Sequence, residues 1–340
     1  MARINVPSPI SVGVFLSYRC NSKCRYCMYG CSPDWSSDWI SEENLARVLN
    51  QLSGKIKPSP YGADGVSLNY GLHFTGGEPF LNFDLLLKGV EVAEGLRIPS
   101  TFVETNCYWC TDEEIAREKL TLLKRKGLKG ILISVNPFYL EYIPFERTEG
   151  AIRMSQEVFE GNVMVYQPEY YRQFRKLGIR GILTLDEYLQ RVKVEEMGES
   201  VELFLTGRAA YKLKDFYPKY PASRFFGEPC QPPFLRDWHN HVDNYGNYLP
   251  GYCGGISLGD ARNLDLICKE GIDVDSRPIL KFLIAGDLGG LLEFATGDFG
   301  YKQEAEGYVS QCHLCLDIRK HLAEKDFEEL RPKEFYRHLE

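Results

Sequence analysis

Short apolar runs alternate with longer amphipathic stretches over the first two thirds of the chain. Apolar runs bounded by turn residues predict strands, and apolar positions three and four residues apart predict helices. Ser41 is placed to cap one helix at its start, and Gly127 to end another. The predicted strands cover residues 12–17, 72–75, 100–105, 130–135, 162–167 and 201–206. The predicted helices cover residues 41–52, 84–96, 112–126 and 148–160, with further helical stretches near 169–177 and 184–193.

Six successive strand–helix steps predict an α/β fold with a parallel sheet, either open or closed as a partial barrel. In such folds the chemistry lies at the carboxyl ends of the strands. Prolines crowd residues 215–233, which marks a plausible domain boundary. Beyond it, residues 238–250 predict a hairpin around Gly246. Helical stretches are expected within 279–300, 312–324 and 333–340.

Composition narrows the class of protein. The 340 residues carry 40 basic and 47 acidic side chains, a net charge of −7, without the basic excess of a nucleic-acid binder. No run of ~18 apolar residues is present, so no membrane partner is expected. Eleven cysteines in a chain of this length favour bound metal over disulfides. We therefore expect a reduced, cytoplasmic protein.

The most informative motif is CxxxCxYC, formed by Cys20, Cys24 and Cys27 directly after the first predicted strand. Three thiolates at this spacing can hold three corners of an iron–sulfur cubane. The fourth iron then stays open, as a reactive cluster requires. A zinc site is the alternative, with Cys31 as its fourth ligand.

A second motif, GGEP, follows the second predicted strand. CxxxCxYC and GGEP together resemble the radical S-adenosylmethionine (radical SAM) enzymes. The resemblance implies a [4Fe–4S] cluster on Cys20, Cys24 and Cys27, with S-adenosylmethionine chelating its open iron. It also implies a partial (β/α)6 TIM-like barrel. Reductive cleavage of S-adenosylmethionine would give a 5′-deoxyadenosyl radical that abstracts a hydrogen atom from the substrate.

Further positions match the pattern of the cofactor site in this family. The resemblance places an aromatic residue before the third cysteine, a glycine pair and a carboxylate after the second strand, and polar residues at the ends of the third and fourth strands. Asparagine stands at 136, where relatives often have aspartate. The positions concerned are Tyr26, Gly76, Gly77, Glu78, Glu104, Ser134 and Asn136.

The C-terminal part resembles the SPASM/twitch extension of radical SAM enzymes. There a Gly-Arg-Ala triplet, here with Arg208, precedes a cysteine-rich half, and its arginine lies near the cofactor carboxylate. Four later cysteines would saturate one auxiliary [4Fe–4S] cluster, and a four-thiolate zinc site is the rival assignment. These cysteines are Cys230, Cys253, Cys312 and Cys315. The expected division is a barrel over residues 1–215 and a smaller α+β twitch-like domain over 216–340.

Cys107 and Cys110 follow the third strand, where relatives often read Thr-Asn-Gly. On the catalytic face such a thiol can return a hydrogen atom to a substrate radical, and loop packing is the alternative. His239 and His241 stand two residues apart on one strand face, where they could be metal ligands or simply packed. His73, inside the second strand, is expected to face the packed barrel interior.

The leading hypothesis is therefore a radical SAM enzyme that oxidises a small molecule or a peptide with the help of one auxiliary cluster. One alternative is a redox-neutral epimerase that uses Cys107 or Cys110 as hydrogen donor. Another is a non-enzymatic iron–sulfur or zinc protein. The resemblance also implies an electron donor such as flavodoxin or ferredoxin. Only residues 1–11 precede the first predicted strand, so no internal leader-binding domain is expected.

Overall fold

The computed structural model describes residues 3–36, 38–193 and 203–340. Its main sheet has seven strands in the order β6-β5-β4-β3-β2-β7-β8, and all pairs except β7–β8 are parallel. A separate antiparallel pair joins β1 to β9. The strands are β1 (Arg3–Ile4), β2 (Ser11–Phe15), β3 (Gly71–Thr75), β4 (Phe102–Thr105), β5 (Gly130–Ser134), β6 (Val163–Tyr166), β7 (Asn240–Val242), β8 (Tyr248–Leu249) and β9 (Ile272–Asp273). The fold is thus mixed α/β around a mostly parallel sheet.

The helices of the first half cover the sheet, as the alternating pattern predicts. Ser41 caps α1 by accepting a hydrogen bond from the Asn44 amide, and Asp112 caps α3 in the same way. These helices are α1 (Glu42–Leu52), α2 (Phe83–Gly95), α3 (Glu113–Arg125), α4 (Pro137–Leu140), α5 (Phe145–Phe159), α6 (Pro168–Lys176) and α7 (Leu185–Leu189). A 3₁₀ helix, Pro79–Asn82, precedes α2.

The central strands are buried along their whole length. Every residue of β2 and β3 is buried, as expected of parallel strands covered on both faces. A near-continuous apolar run is what a strand buried on both faces requires, and the apolar runs at these positions therefore predicted the two strands correctly. The five predicted strands from residue 12 to residue 167 are confirmed within two residues at each end.

The sixth predicted strand, 201–206, is wrong over the residues that the structure describes. Residues 201 and 202 lie outside the described ranges, and 203–206 form no strand. These apolar residues instead line a cavity through Phe204, Leu205 and Thr206. Phe204 and Leu205 are half-buried, and an apolar run can belong to a cavity wall as well as to a strand. The place beside β2 belongs to β7, which comes from much later in the chain.

The regular secondary structure of the C-terminal part is mostly helical. The predicted hairpin is confirmed as the antiparallel pair β7–β8. No helix in the described ranges has both the length and the hydropathy needed to cross a membrane. The helices of this part are α8 (Ala209–Lys212), α9 (Leu264–Glu270), α10 (Pro278–Ala285), α11 (Leu288–Phe299) and α12 (Gln311–Ala323), with 3₁₀ helices Lys214–Phe216, Ala222–Phe225, Ala261–Asn263 and Lys333–His338.

Candidate functional site

The cysteine-rich loop follows β2 at the carboxyl edge of the sheet. Cys20, Cys24, Cys27 and Cys31 all line one cavity. The loop turns on itself, because the Cys27 amide donates to the Cys24 carbonyl at 3.2 Å and the Gly30 amide to the Cys27 carbonyl at 3.3 Å. The three cysteines of the motif are therefore gathered at one place, together with Cys31.

Protonation differs among these thiols. Burial raises the pKa of Cys20 and of Cys24. The pKa of Cys27 is lowered to about 6, chiefly by a hydrogen bond with the Cys31 side chain. The Cys31 amide also donates to Cys27 Sγ at 3.3 Å, and Asn106 Nδ2 lies 3.7 Å from Cys20 Sγ. Of the four thiols, Cys27 alone has a lowered pKa, whereas burial favours the protonated form of Cys20, Cys24 and Cys31.

The glycine pair after β3 packs against the start of the same loop. The Gly77 amide donates to the Ser17 carbonyl at 2.8 Å. A Cβ on Gly76 would lie 2.3 Å from the Ser17 oxygen, and one on Gly77 would lie 1.8 Å from the Arg19 oxygen. Both contacts are with main chain, which cannot move aside. The missing side chains therefore let the GGEP segment dock on the cysteine loop.

The Glu78 carboxylate is directed into the protein. It is 1% exposed and accepts hydrogen bonds from the Thr105 hydroxyl at 3.0 Å, the Asn106 amide at 2.8 Å and the Phe80 amide at 3.1 Å. Burial raises its pKa to about 7. Glu78 is not among the described residues that line the cavity. It joins β3 to the loop after β4, and its contact with a cofactor stays a prediction.

Arg208 serves the loop in a way that the sequence did not indicate. It is 1% exposed, and its guanidinium donates five hydrogen bonds to main-chain carbonyls. The acceptors are the carbonyl oxygens of Cys24, Gly30, Cys31 and His338. The guanidinium thus holds the main chain of the cysteine loop in place. The expected contact of Arg208 with a cofactor carboxylate stays a prediction.

The polar residues predicted at the strand ends do face the cavity. Glu104, Ser134, Asn136 and Tyr26 all line it. Glu104 accepts a hydrogen bond from the Thr75 hydroxyl at 2.8 Å, and burial raises its pKa to about 7. The Tyr26 ring stacks on Phe138 at 5.4 Å. The structure therefore brings these four residues together with the cysteine loop.

Cys107 and Cys110 lie elsewhere. Both are buried, and neither is among the described residues that line the cavity. Cys107 has a positive φ of 69°, and its amide donates to the Thr105 hydroxyl. Burial raises the pKa of both thiols. Neither thiol reaches the cavity surface, so the hydrogen-donor role stays a prediction without a contact to support it.

The four later cysteines line a second cavity. Cys230, Cys253, Cys312 and Cys315 converge there from two loops and the first turn of α12. Arg319, one turn further along α12, is buried and donates to the Gly254 carbonyl at 2.9 Å. Its charge opposes the rise in the pKa of Cys253 and of Cys312 that burial causes. Arg319 was not among the predicted site residues, although its place four residues after Cys315 is a usable signal.

The spacing of the thiols bears on which metal group they fit. Zinc binds thiolates at about 2.3 Å, so the sulfurs of one zinc site lie less than about 4.6 Å apart. Among the described residues, the ligand atoms of three His, Cys, Asp or Glu side chains come within 4.8 Å of one another only at His73, His239 and His241. Both cysteine sets are thus more widely spaced than one ion requires.

Comparison with known proteins gives limited similarity. No family model matches the chain, and a search of curated proteins finds no match. Solved structures that align with it include BtrN in complex with AdoMet and 2-DOIA, with 15% identity and a TM-score of 0.45 over 84% of this chain and 91% of that one. Native anSMEcpe with bound AdoMet and Cp18Cys peptide gives 13% identity and a TM-score of 0.44 over 93% and 98%.

A third structure is Streptococcus suis SuiB bound to S-adenosylmethionine, with 15% identity and a TM-score of 0.38 over 91% of this chain and 77% of that one. Likenesses of this size carry no argument about the activity of this chain. The resemblance to radical SAM enzymes therefore stands on the motifs CxxxCxYC and GGEP and on the cavity that they share.

Proposed function

We propose that this protein is a radical SAM enzyme. The observation that carries the proposal is the shared cavity, in which Cys20, Cys24 and Cys27 face Gly76 and Gly77. Both motifs come from loops at the carboxyl edge of a parallel sheet, where α/β folds carry their chemistry.

In this proposal Cys20, Cys24 and Cys27 hold a [4Fe–4S] cluster. When bound, the cluster and S-adenosylmethionine supply a 5′-deoxyadenosyl radical, with the electron coming from a donor such as flavodoxin or ferredoxin. The chain's own residues prepare the ligands. The Cys31 amide stabilises the Cys27 thiolate, and Arg208 holds the carbonyls of Cys24 and Cys31. Hydrogen bonds to ligating thiolates also tune the potential of such a cluster.

The cavity wall has the donors and acceptors that a zwitterionic nucleoside cofactor requires. Glu104 provides a carboxylate, Ser134 a hydroxyl and Asn136 an amide, while Tyr26 provides an aromatic edge. Burial at the cavity strengthens each of these contacts, because the local dielectric is lower than in water. The substrate, a small molecule or a peptide, would enter the remaining part of this cavity.

We further propose that Cys230, Cys253, Cys312 and Cys315 hold one auxiliary [4Fe–4S] cluster. The two cavities share a wall residue, Tyr252. An auxiliary cluster on the other side of this tyrosine can accept the electron that a substrate radical loses. This arrangement favours oxidation over epimerisation, since Cys107 and Cys110 lie off the cavity surface.

The test is anaerobic reconstitution followed by iron analysis and an assay for 5′-deoxyadenosine. We expect about eight irons per chain from two four-iron clusters. Replacing Cys20, Cys24 and Cys27 together by Ala should leave about four irons and abolish 5′-deoxyadenosine, because no site for the reactive cluster remains. Persistence of that product would contradict the radical proposal.

A second variant separates the two clusters. Cys312→Ala with Cys315→Ala should lower iron to about four while reductive cleavage of S-adenosylmethionine continues. Cys268→Ala is the matched control, because Cys268 lies outside both cavities, partly buried beside the Pro7 carbonyl. Its iron content and its product should equal those of the wild type. If the wild-type protein holds only about four irons, or stoichiometric zinc at the later cysteines, the proposal of an auxiliary cluster is ruled out.

A further inference from the structure

Three buried histidines meet where the middle strands of the sheet lie side by side. One ring nitrogen from each of His73, His239 and His241 lies within 4.8 Å of the other two. His239 and His241 also line the cavity that contains the cysteine motif. None of the three belongs to the cluster and cofactor contacts proposed above, so the trio is without a role.

The strand register explains why the rings converge. Gly13 of β2 pairs with His73 of β3 on one side and with His241 of β7 on the other. Residues in register on neighbouring strands point to the same face of a sheet. A Cβ on Gly13 would lie 2.3 Å from His73 Nε2 and 2.5 Å from His241 Cδ2. The two imidazoles therefore lean towards each other over a glycine.

Hydrogen bonds fix the tautomers of two of the rings. His239 Nδ1 lies 3.0 Å from the Leu68 carbonyl, and His241 Nδ1 lies 3.0 Å from the Gly251 carbonyl. The Leu68 carbonyl can only accept, so His239 Nδ1 carries the proton and its Nε2 keeps a free lone pair. His241 Nδ1 also lies 2.8 Å from the Tyr29 hydroxyl, which donates its own proton to the Gly251 carbonyl at 2.9 Å and therefore accepts from Nδ1, leaving Nε2 of His241 free as well. Histidines that bind metals are held by this kind of hydrogen bond.

The His73 ring has no hydrogen bond of this kind to hold it. It is fully buried, and neither of its ring nitrogens has a hydrogen-bond partner among the described residues. Leaving such a group unpaired costs about 1–3 kcal/mol. Glu104 Oε1 lies 3.6 Å from His73 Nε2 and places a carboxyl group beside the trio. A bound cation would satisfy the lone pairs and the carboxylate together.

We propose that His73, His239 and His241 bind one divalent first-row transition-metal ion. Neutral imidazole suits zinc, iron, nickel and copper, whereas calcium and magnesium prefer oxygen ligands. Three protein ligands leave a coordination position for water or for an oxygen or nitrogen donor of a substrate. The site is separate from the cysteines, and it does not depend on the proposed radical chemistry.

The test uses zinc on the holoprotein, whose reconstituted clusters occupy the cysteines. Zinc chloride is added, unbound zinc is removed by dialysis, and the bound metal is measured by elemental analysis and zinc-edge X-ray absorption. We expect about one zinc per chain with nitrogen or oxygen neighbours at about 2.0–2.1 Å. No retained zinc, or sulfur neighbours at about 2.3 Å, would overturn the proposal.

Variants identify the ligands. His239→Asn and His241→Asn, made separately, should each weaken zinc binding by more than about 100-fold while the iron content is unchanged, since losing a direct ligand costs more than losing an outer partner. His321→Asn is the matched control, because His321 is partly buried and bonds the Phe299 carbonyl outside the trio. Equal zinc in all three variants would also contradict the proposal. If a variant fails to fold, the zinc-edge spectrum of the wild type still tests the proposal, because it distinguishes nitrogen or oxygen neighbours from sulfur.

Discussion

At the scale of single residues, two buried ionisable side chains, one from the Gly-Arg-Ala triplet and one from GGEP, form hydrogen bonds with main-chain groups. Arg208 donates to carbonyls of the cysteine loop, and Glu78 accepts from the amides of Phe80 and Asn106. Charges are rarely buried without such partners, since leaving water is costly. Each residue therefore holds a loop in one conformation, which a cluster site requires of its ligands.

Arg208→Lys should loosen the cysteine loop. A lysine ammonium is a point donor and cannot reproduce a fork that reaches four carbonyl groups. We expect a loss of about 2–4 kcal/mol in the free energy of unfolding and of up to four irons per chain, measured by urea denaturation and iron analysis. Arg337→Lys, at an exposed position, is the control and should change neither quantity. Full iron and stability in Arg208→Lys would contradict this account.

Glu78 should make stability depend on pH. Its folded-state pKa is about 7, above its ordinary value of 4.5. The folded protein therefore holds this proton more tightly than the unfolded chain, and its contribution to stability falls as pH rises from about 4.5 through 7. The loss amounts to about 3 kcal/mol. Urea denaturation at pH 5 and pH 8 should show this fall for the wild type and a smaller one for Glu78→Gln. Equal slopes for the two proteins would refute it.

At the scale of elements, the start of α12 carries two of the cysteines proposed to hold the auxiliary cluster. Ser310 caps it by accepting from the His313 amide at 3.0 Å, and its hydroxyl donates to the Leu205 carbonyl at 3.1 Å. Cys312 lies in the first turn of this helix, and Cys315 follows that turn directly. The cap thus positions both Cys312 and Cys315.

Ser310→Ala should therefore affect both stability and metal content. Losing an N-cap costs about 1 kcal/mol, and the loosened first turn should reduce the iron held by Cys312 and Cys315. Ser41→Ala is the matched control, because Ser41 caps α1 in the same way and is not among the described residues that line either cavity. It should cost a similar free energy and leave iron unchanged. Equal iron in the two variants would show that the cap does not position the cysteines.

At the scale of the whole molecule, the last residues connect both cysteine sets. The His338 carbonyl accepts from Arg208, and its ring stacks on Trp35 at 4.7 Å. Tyr336 donates to the Gly255 carbonyl at 2.7 Å, next to the loop that carries Cys253. The C-terminal segment is therefore part of the scaffold of both sites.

Deleting residues 333–340 should destabilise the whole protein. Each large apolar side chain that is lost, such as Phe335, contributes about 1.5–3 kcal/mol through burial. Several such losses approach the total stability of a typical domain. We expect little soluble protein, low iron and a lower thermal midpoint, measured by yield, iron analysis and calorimetry. Deleting Glu340 alone, an exposed residue, is the control. A soluble, fully loaded deletion variant would be inconsistent with this role.

The sequence by itself determined the local features of this protein. Short apolar runs identified five of the sheet's strands, and the spacing of Cys20, Cys24 and Cys27 indicated a ligand set, because both signals lie within a few residues of chain. Residues 203–206 show the limit, since an apolar wall and an apolar strand share one pattern.

Only the tertiary structure decided which distant residues meet. The pairing of β7 with β2 brings His241 to His73, and the five hydrogen bonds of Arg208 join residues far apart in sequence. It also placed Cys107 and Cys110 away from the cavity although they follow a strand end. Such contacts depend on strand order and side-chain direction, which no short stretch of sequence encodes.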